Sequence, residues 1–407
     1  MELSVATPRD GSRRTQRGFG LVEIMVGLVI GIIAVLVIYQ VYTVAEGFKR
    51  NTTAAGEAQQ TGLFSAFVLG MELGNAGAGI AVASQDLASC ADPGGAMPLR
   101  FARYYRPLPV VVADSGSDNL ADTFVVSYSM ATTLVSSAFF TAPAVAGAPF
   151  QVQSPGGFHV NDLVVAVSAP GQPVATAPCP TSRITGVALT NDPLGDVTLT
   201  QTPVDPPPGL ALTDGALLLN LGPCNRVQKV MYSLKASTWD NKPRCDQGTP
   251  CTLYSTPLLD TQGNNCGKPA DPFVGNPIAA NIVNMKIQYG IDTDGDPQRT
   301  LDTWVPAKTA SGFGDWDWGT MMNGGTLITQ INQVKAVRIG IIVQSEQFDP
   351  TLGDYTWVMF DCADVNKGNC PGRLSGTIAQ QNNPKGNWRF RKYETVIPLR
   401  NAVWNRF

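Results

Sequence analysis

The feature that most constrains this chain is an apolar run close to its N-terminus. Residues 19–42 read FGLVEIMVGLVIGIIAVLVIYQVY and contain one charged residue, Glu23. As an α-helix, a run of this length extends about 36 Å, which is enough to cross a bilayer core of about 30 Å. Four arginines precede the run, and such positive charge holds the preceding end in the cytoplasm. The run therefore indicates a single-pass membrane helix, with everything beyond Tyr42 on the outer side.

Two ordinary alternatives are a cleaved secretory signal, which the length of the run argues against, and a plain membrane anchor, which Glu23 argues against. A cleaved secretory signal has an apolar region of only about 7–15 residues. A plain anchor would carry leucine at position 23, because an acidic side chain in hydrocarbon costs about 2.5–3.5 kcal/mol. Cleavage between Gly18 and Phe19 would supply a partner, since the new α-amine lies four residues before Glu23. In an assembly the carboxylate can instead pair with a neighbour's amine and fix the register between helices.

The segment Arg17-Gly18-Phe19, followed by Glu23 and an apolar helix, resembles the signal of type IV prepilins and type II secretion pseudopilins. The resemblance implies a prepilin peptidase that cuts after Gly18 and methylates the new N-terminal Phe19. It also implies that Glu23 helps to dock the subunit into a filament. Gly27 and Gly31 form a G-x-x-x-G pattern that permits close helix packing, although glycines merely tolerated in an apolar helix explain it equally well.

The helix is expected to continue beyond the membrane, because no proline occurs between Thr43 and Glu72. Large apolar residues recur there at helical spacing and predict a stripe that packs on a sheet: Leu63, Phe64, Phe67, Val68 and Met71. The glycine-rich stretch 74–79 is expected to end the helix. The predicted organisation is a leader at 1–18, a membrane helix at 19–42, its amphipathic continuation at 43–73, and a β-rich globular domain at 74–407.

The remainder of the chain alternates short β-branched runs with loops rich in glycine and proline. Strands are predicted at 122–129, 161–168, 183–190, 196–200, 215–222, 226–235, 284–292, 334–345, 355–361 and 391–401. Stretches 91–120, 141–157, 201–215 and 240–278 are predicted to be loop insertions. Helices and strands do not alternate, so the expected fold class is α+β, with the long N-terminal helix packed on an antiparallel sheet.

The eight cysteines form no C-x-x-C pair, and an even number in loop-rich sequence fits an oxidising compartment. Of the 105 pairings that eight cysteines allow, closure of two short loops is the candidate: Cys245 with Cys251, and Cys362 with Cys370. The formal net charge of −3 gives no basic footprint for nucleic acid.

The sequence offers little catalytic chemistry. His159 is the single histidine, and neither a G-x-S-x-G elbow nor a phosphate-binding loop is present, so no enzyme is expected. Asp292, Asp294 and Asp296 occupy alternate positions, as in a calcium loop, but a polar Asp-Gly hairpin turn explains them as well. No cofactor is expected apart from this candidate structural Ca²⁺. The aromatic stretch 313–319 is either a docking surface or a loop over the core.

Three further segments, 289–296, 334–345 and 393–401, resemble the final part of the PilW family of minor pilins. The resemblance implies a non-catalytic subunit of the inner membrane, with its C-terminal domain in the periplasm and later on the pilus at the cell surface. The implied partners are prepilin peptidase, other minor pilins, the major pilin, a PilY-family tip adhesin and the inner-membrane assembly platform. A J-like pseudopilin of type II secretion remains an alternative. So does a membrane-anchored periplasmic adhesin or binding protein.

Overall fold

The computed structural model describes residues 18, 20–79, 108–130, 137–145, 147–153, 157–167, 181–189, 197–205, 211–212, 216–236, 250–293, 301–309, 312–313, 333–348, 352–361, 372–378 and 388–400. One α-helix, α1, covers Leu21–Gly74. The strands that follow in the described part are β1 Val110–Ala113, β2 Thr123–Ser129, β3 Ser137–Phe139, β4 Ala144–Val145, β5 Phe150–Val152, β6 Asp162–Val167, β7 Thr181–Leu189, β8 Val197–Asp205, β9 Ala211–Leu212, β10 Leu217–Pro223, β11 Val227–Ala236, β12 Cys251–Pro257, β13 Asn276–Ile291, β14 Thr303–Pro306, β15 Lys308–Thr309, β16 Gly312–Phe313, β17 Val334–Phe348, β18 Tyr355–Met359, β19 Leu374–Ile378 and β20 Trp388–Pro398.

Helix α1 is continuous over 54 residues, as the lack of proline predicts. The chain divides into two compact units at Thr53/Ala54, so the division falls inside the helix and not at its end. The membrane-length apolar stretch lies in the first unit, and none of the residues in its most apolar window is buried. In the second unit, residues from Ala54 to Gly74 form the part of α1 that contributes to the globular core.

The main sheet has eight strands and is antiparallel throughout. Its order is β1-β2-β11-β12-β13-β17-β20, with β14 also paired to β13. One face packs against α1 and forms the largest apolar cluster, which includes Leu69, Leu73, Phe124, Tyr232 and Tyr289. The opposite face of β13 and β17 is covered by the β18–β19 hairpin through a smaller cluster around Trp357 and Met359. The expected α+β fold with a helix on an antiparallel sheet is confirmed.

A second sheet lies between β2 and β11 in the chain and closes on itself. Its six strands follow the order β3-β10-β6-β7-β8-β5. The two end strands meet through a bridge between Phe140 and Val152, and the amide of Gln153 donates a hydrogen bond of 2.9 Å to the carbonyl of Phe139. The result is a small antiparallel barrel with an apolar interior of its own, which includes Phe140, Phe150, Val164 and Leu218.

Along the barrel strands, successive side chains point alternately into this interior and toward an apolar patch on the outside of the barrel. On β6, Val164 and Ala166 point inward, whereas Leu163, Val165 and Val167 belong to a different cluster outside. This pattern follows from the two-residue period of a strand. Strand β6 was predicted, but a barrel was not.

The predicted loop insertions are wrong in part. Strand β1 lies inside 91–120, β5 inside 141–157, the end of β8 inside 201–215, and β12 inside 240–278. These strands are short or contain Pro, Thr and Ser, and composition alone does not separate them from loops. Pairing with neighbouring strands determines their conformation, and for β5 the paired strand, β8, is distant in the chain.

Candidate assembly interface

The N-terminal end of α1 presents the residues that the sequence singled out. Gly18 and Glu23 are exposed, and the amide of Glu23 donates a hydrogen bond of 3.0 Å to the carbonyl of Gly20 in the first turn. Gly27 and Gly31 follow at four-residue intervals, so they share one helix face with Glu23. Beyond the adjacent turns of the helix itself, a methyl group added at either glycine would meet no atom of the described residues within 4 Å. Phe19 lies outside the described residues.

The predicted packing stripe of α1 is wrong in its direction. Four of its five residues are largely exposed, at 55% for Leu63, 49% for Phe64, 65% for Phe67 and 52% for Met71. We call these four residues the outer stripe. The residues of α1 that are buried on the sheet are Ala54, Ala58, Gly62, Ser65, Leu69 and Leu73. At 100° per residue the two sets lie on opposite sides of the helix.

Small side chains let the helix approach the sheet closely. A Cβ atom at Gly62 would overlap the ring of Tyr393 on β20. The hydroxyl of that tyrosine donates a hydrogen bond of 3.2 Å to the carbonyl of Ala58, one turn earlier. The contact between α1 and β20 is therefore set by the absence of side-chain atoms at position 62.

The end of the helix is anchored by Glu72. Its carboxylate accepts a hydrogen bond of 3.0 Å from the hydroxyl of Tyr128 on β2. The side chain of Tyr232 on β11 also bonds to Glu72. Burial, followed by the nearby Glu72 charge, raises the pKa of both tyrosines, so both remain neutral donors. Glu72 thus fixes the rotation of α1 and keeps the outer stripe turned away from the sheet.

A buried ion pair holds the loop before β2 on the main sheet. Lys286 Nζ lies 2.8 Å from Asp122 Oδ1, and both side chains are about 2% exposed. The same carboxylate accepts hydrogen bonds from Ser115 and from the amide of Ile287. Burial raises the pKa of Asp122, and the Lys286 ammonium opposes this shift. These contacts are internal to the globular part and stabilise it.

The acidic loop is described only at its ends. Asp292 is buried, and its Oδ2 lies 3.5 Å from Nζ of Lys335. Asp302 Oδ2 accepts hydrogen bonds from the amide and hydroxyl of Thr293, at 2.6 and 2.8 Å. Asp294 and Asp296 lie outside the described residues, and within the described ones no group of three metal-ligating side chains occurs. An ammonium already faces Asp292, which favours a turn stabilised by side chains, and calcium binding itself is untested.

The cysteines and the histidine are placed as follows. Cys224 and Cys266 form a disulfide that the sequence reasoning did not single out. Cys251 is also disulfide-bonded, while Cys245, Cys362 and Cys370 lie outside the described residues, so the two predicted short loops are not tested. His159 is exposed, and its Nδ1 lies 3.7 Å from Oδ2 of the buried Asp162. The same Oδ2 accepts a hydrogen bond from the backbone amide of His159. Most of the aromatic stretch 313–319 lies outside the described residues.

The helix face that packs on the sheet had a readable signal that the sequence reasoning missed. Small residues recur at 54, 58, 62 and 65, and two leucines continue the same face at 69 and 73. Choosing the largest apolar side chains as the packed face reversed the assignment. A helix that buries small residues on one face and exposes phenylalanines on the other leaves the larger side chains available for contact with other molecules.

Two protein-family models match the chain. Residues 13–39 match the prokaryotic N-terminal methylation motif, and residues 247–401 match Type IV Pilus-assembly protein W, PilW. No curated protein and no solved structure matches it. The first match contains Gly18, Glu23 and the two glycines of α1, and the second runs from before β12 to the end of β20. The barrel lies outside both matches. Together the matches confirm the resemblance: the C-terminal part of the chain is similar to the PilW family of type IV pilus assembly, and a prepilin-type methylation motif overlaps the start of the apolar helix.

Proposed function

We propose that this chain is a non-catalytic minor pilin of the type IV pilus that primes assembly or lies in the tip complex. After cleavage behind Gly18, the methylated Phe19 begins the mature chain in the inner membrane, and the globular part lies in the periplasm. Its partners are prepilin peptidase, other minor pilins, the major pilin, a PilY-family adhesin and the assembly platform. The mature subunit then becomes part of the fibre at the cell surface.

The observation that carries this proposal is the outer stripe. A single helix joins the methylation motif and Glu23 to four large apolar side chains that the globular part leaves uncovered. Water-exposed phenylalanines at 49% and 65% are costly for a solitary domain, and exposed apolar patches mark interaction sites. A filament or priming complex in which such helices pack together covers both the stripe and the Gly27/Gly31 face.

Processing at the Gly18–Phe19 junction is the first requirement of the proposal. In cells with prepilin peptidase, the mature protein should begin at Phe19, and Gly18→Asp should accumulate as precursor. Gly11→Asp makes the same substitution inside the leader but away from the cleaved bond, so it should be processed normally. N-terminal sequencing that finds Met1, or a cut near residue 45, would exclude the pilin role and favour a bitopic adhesin.

A J-like pseudopilin of type II secretion would be processed in the same way. The two machineries are separated by deleting the gene and scoring surface pili and secreted enzymes in the same strain. We expect loss of pili with normal secretion. Loss of secretion with normal pili would assign the chain to the secretion machinery.

A further inference from the structure

The barrel formed by β3, β5, β6, β7, β8 and β10 is structurally self-contained. Its six strands close through the Phe140–Val152 bridge, and its interior shares no residue with the core between α1 and the main sheet. Closed barrels leave no open strand edge and satisfy their own backbone. Such a unit has the contacts that it needs to remain folded without support from the main sheet.

In the described part of the chain, the barrel joins the main sheet through the short link between β10 and β11. Strand β10 continues through a short 3-10 turn at Cys224–Arg226 directly into β11. At this turn the amide of Met130 donates a hydrogen bond of 2.9 Å to the carbonyl of Arg226. A junction of this kind allows the barrel to pivot unless a second contact fixes it.

That second contact is made by the segment 258–270, which is part of the connection from β12 to β13. Leu259 and Cys266 from this segment pack on the outer patch of the barrel, against residues such as Leu163 and Val165. Arg183 on β7 adds one exposed hydrogen bond of 2.6 Å to the carbonyl of Gly263. The covalent link at the same place is the disulfide between Cys224, at the junction, and Cys266, in the segment. Both cysteines are buried, at 3% and 6% exposure.

We infer that the Cys224–Cys266 disulfide is a docking lock, which fixes the orientation of the barrel on the pilin-like sheet and is not required for either part to fold. In the described residues the contacts beside it are one apolar patch and one exposed hydrogen bond. The bond closes a connection of 42 residues and restricts the open states of the segment. A barrel held in this way keeps one orientation relative to the main sheet.

Hydrogen exchange on the full chain in detergent tests the lock with the double variant Cys224→Ala/Cys266→Ala. Amides of 224–227 and 258–270 should exchange at least about tenfold faster, because local opening is no longer restrained. Amides of β6, β10, β13 and β17 should keep their native exchange rates. Trypsin should also cut after the exposed Arg226 in the variant and spare it in the native chain.

Leu259→Ala is the matched control, since it trims the same apolar patch and keeps the disulfide. We expect a smaller rise in exchange than in the double variant, confined to the residues next to position 259. Two results would overturn the inference. If amides inside the barrel lost as much protection as those of 258–270 in the double variant, the bond would be needed for folding. If exchange at 258–270 were unchanged in that variant, packing alone would fix the barrel.

Discussion

Replacing Phe67 with alanine separates the stability of the globular part from its use in assembly. Phe67 is 65% exposed, whereas Leu69, two residues along the same helix, is fully buried. Alanine is the best helix former, so Phe67→Ala removes a large side chain without weakening α1. Its effect on the free energy of unfolding should stay within about 0.5 kcal/mol. Leu69→Ala should cost about 2–5 kcal/mol, because it leaves a cavity in the packed core.

The effect of Phe67→Ala on assembly follows from the area that is available for burial. A phenylalanine buries roughly 200 Å² when fully covered, and about two thirds of Phe67 is open. At about 25 cal/mol per Å², covering this surface contributes at most about 3 kcal/mol, or roughly a hundredfold in the association constant. Thermal melting of the full chain measures the effect on stability. Co-purification with the other minor pilins and counts of surface pili measure the effect on assembly.

For Phe67→Ala we expect a normal melting temperature and reduced assembly. For Leu69→Ala we expect a clearly lower melting temperature. If Phe67→Ala lowered the melting temperature as much as Leu69→Ala, the outer stripe would belong to the core of the globular part. If melting and piliation were both unchanged, the stripe would not be an assembly surface.

Three other changes test separate parts of the structure. Gly62→Ala should lower the melting temperature, because the added methyl group overpacks against Tyr393 at a cost of about 1–3 kcal/mol. Gly70→Ala is the control: its surroundings are open, and alanine favours the helix, so it should raise the melting temperature slightly. A higher melting temperature for both variants would mean that the helix lies farther from the sheet. Burial lowers the pKa of Lys229 to about 7, so the unfolded chain binds this proton more tightly and stability should rise between pH 7 and 10.5. Lys229→Met should flatten this rise, which is about 1.4 kcal/mol per pH unit, and should increase stability at pH 7. If the variant kept the same dependence of stability on pH, the lowered pKa of Lys229 would be refuted. Millimolar calcium should leave the melting temperature unchanged, since an ammonium already faces Asp292, and a clear increase would instead establish a calcium site in the acidic loop.

The parts of the fold that the sequence predicted are those in which local pattern and tertiary environment agree. Strands β2, β6, β11 and β17 carry β-branched runs bounded by turn residues and lie where the pattern places them, whereas for β13 the pattern located only the second half. The helix is likewise unambiguous, because a long run without proline that begins as an apolar membrane segment has few alternatives.

The parts that were missed depend on contacts remote in sequence. Barrel closure requires Phe140 to meet Val152 after the chain has turned back on itself, and no local signal encodes that register. The disulfide between Cys224 and Cys266 joins loops that become neighbours only when the barrel docks. The orientation of α1 was misread for a different reason: in an assembly subunit, the larger apolar face need not be the one buried within the chain.

The role of α1 in assembly is tested most directly at Glu23. A strain carrying Glu23→Leu as its only copy should contain normal amounts of membrane protein that begins at Phe19, because a more apolar helix inserts at least as well and the cleaved bond precedes it. Surface pili should be lost or sharply reduced, since a neighbour's buried amine without a partner costs about 3–5 kcal/mol, roughly a hundredfold or more in docking. Glu23→Asp keeps the charge on a shorter side chain and should be intermediate. Normal piliation with Glu23→Leu would contradict the account, and loss of the protein from the membrane would contradict the assignment of the segment itself.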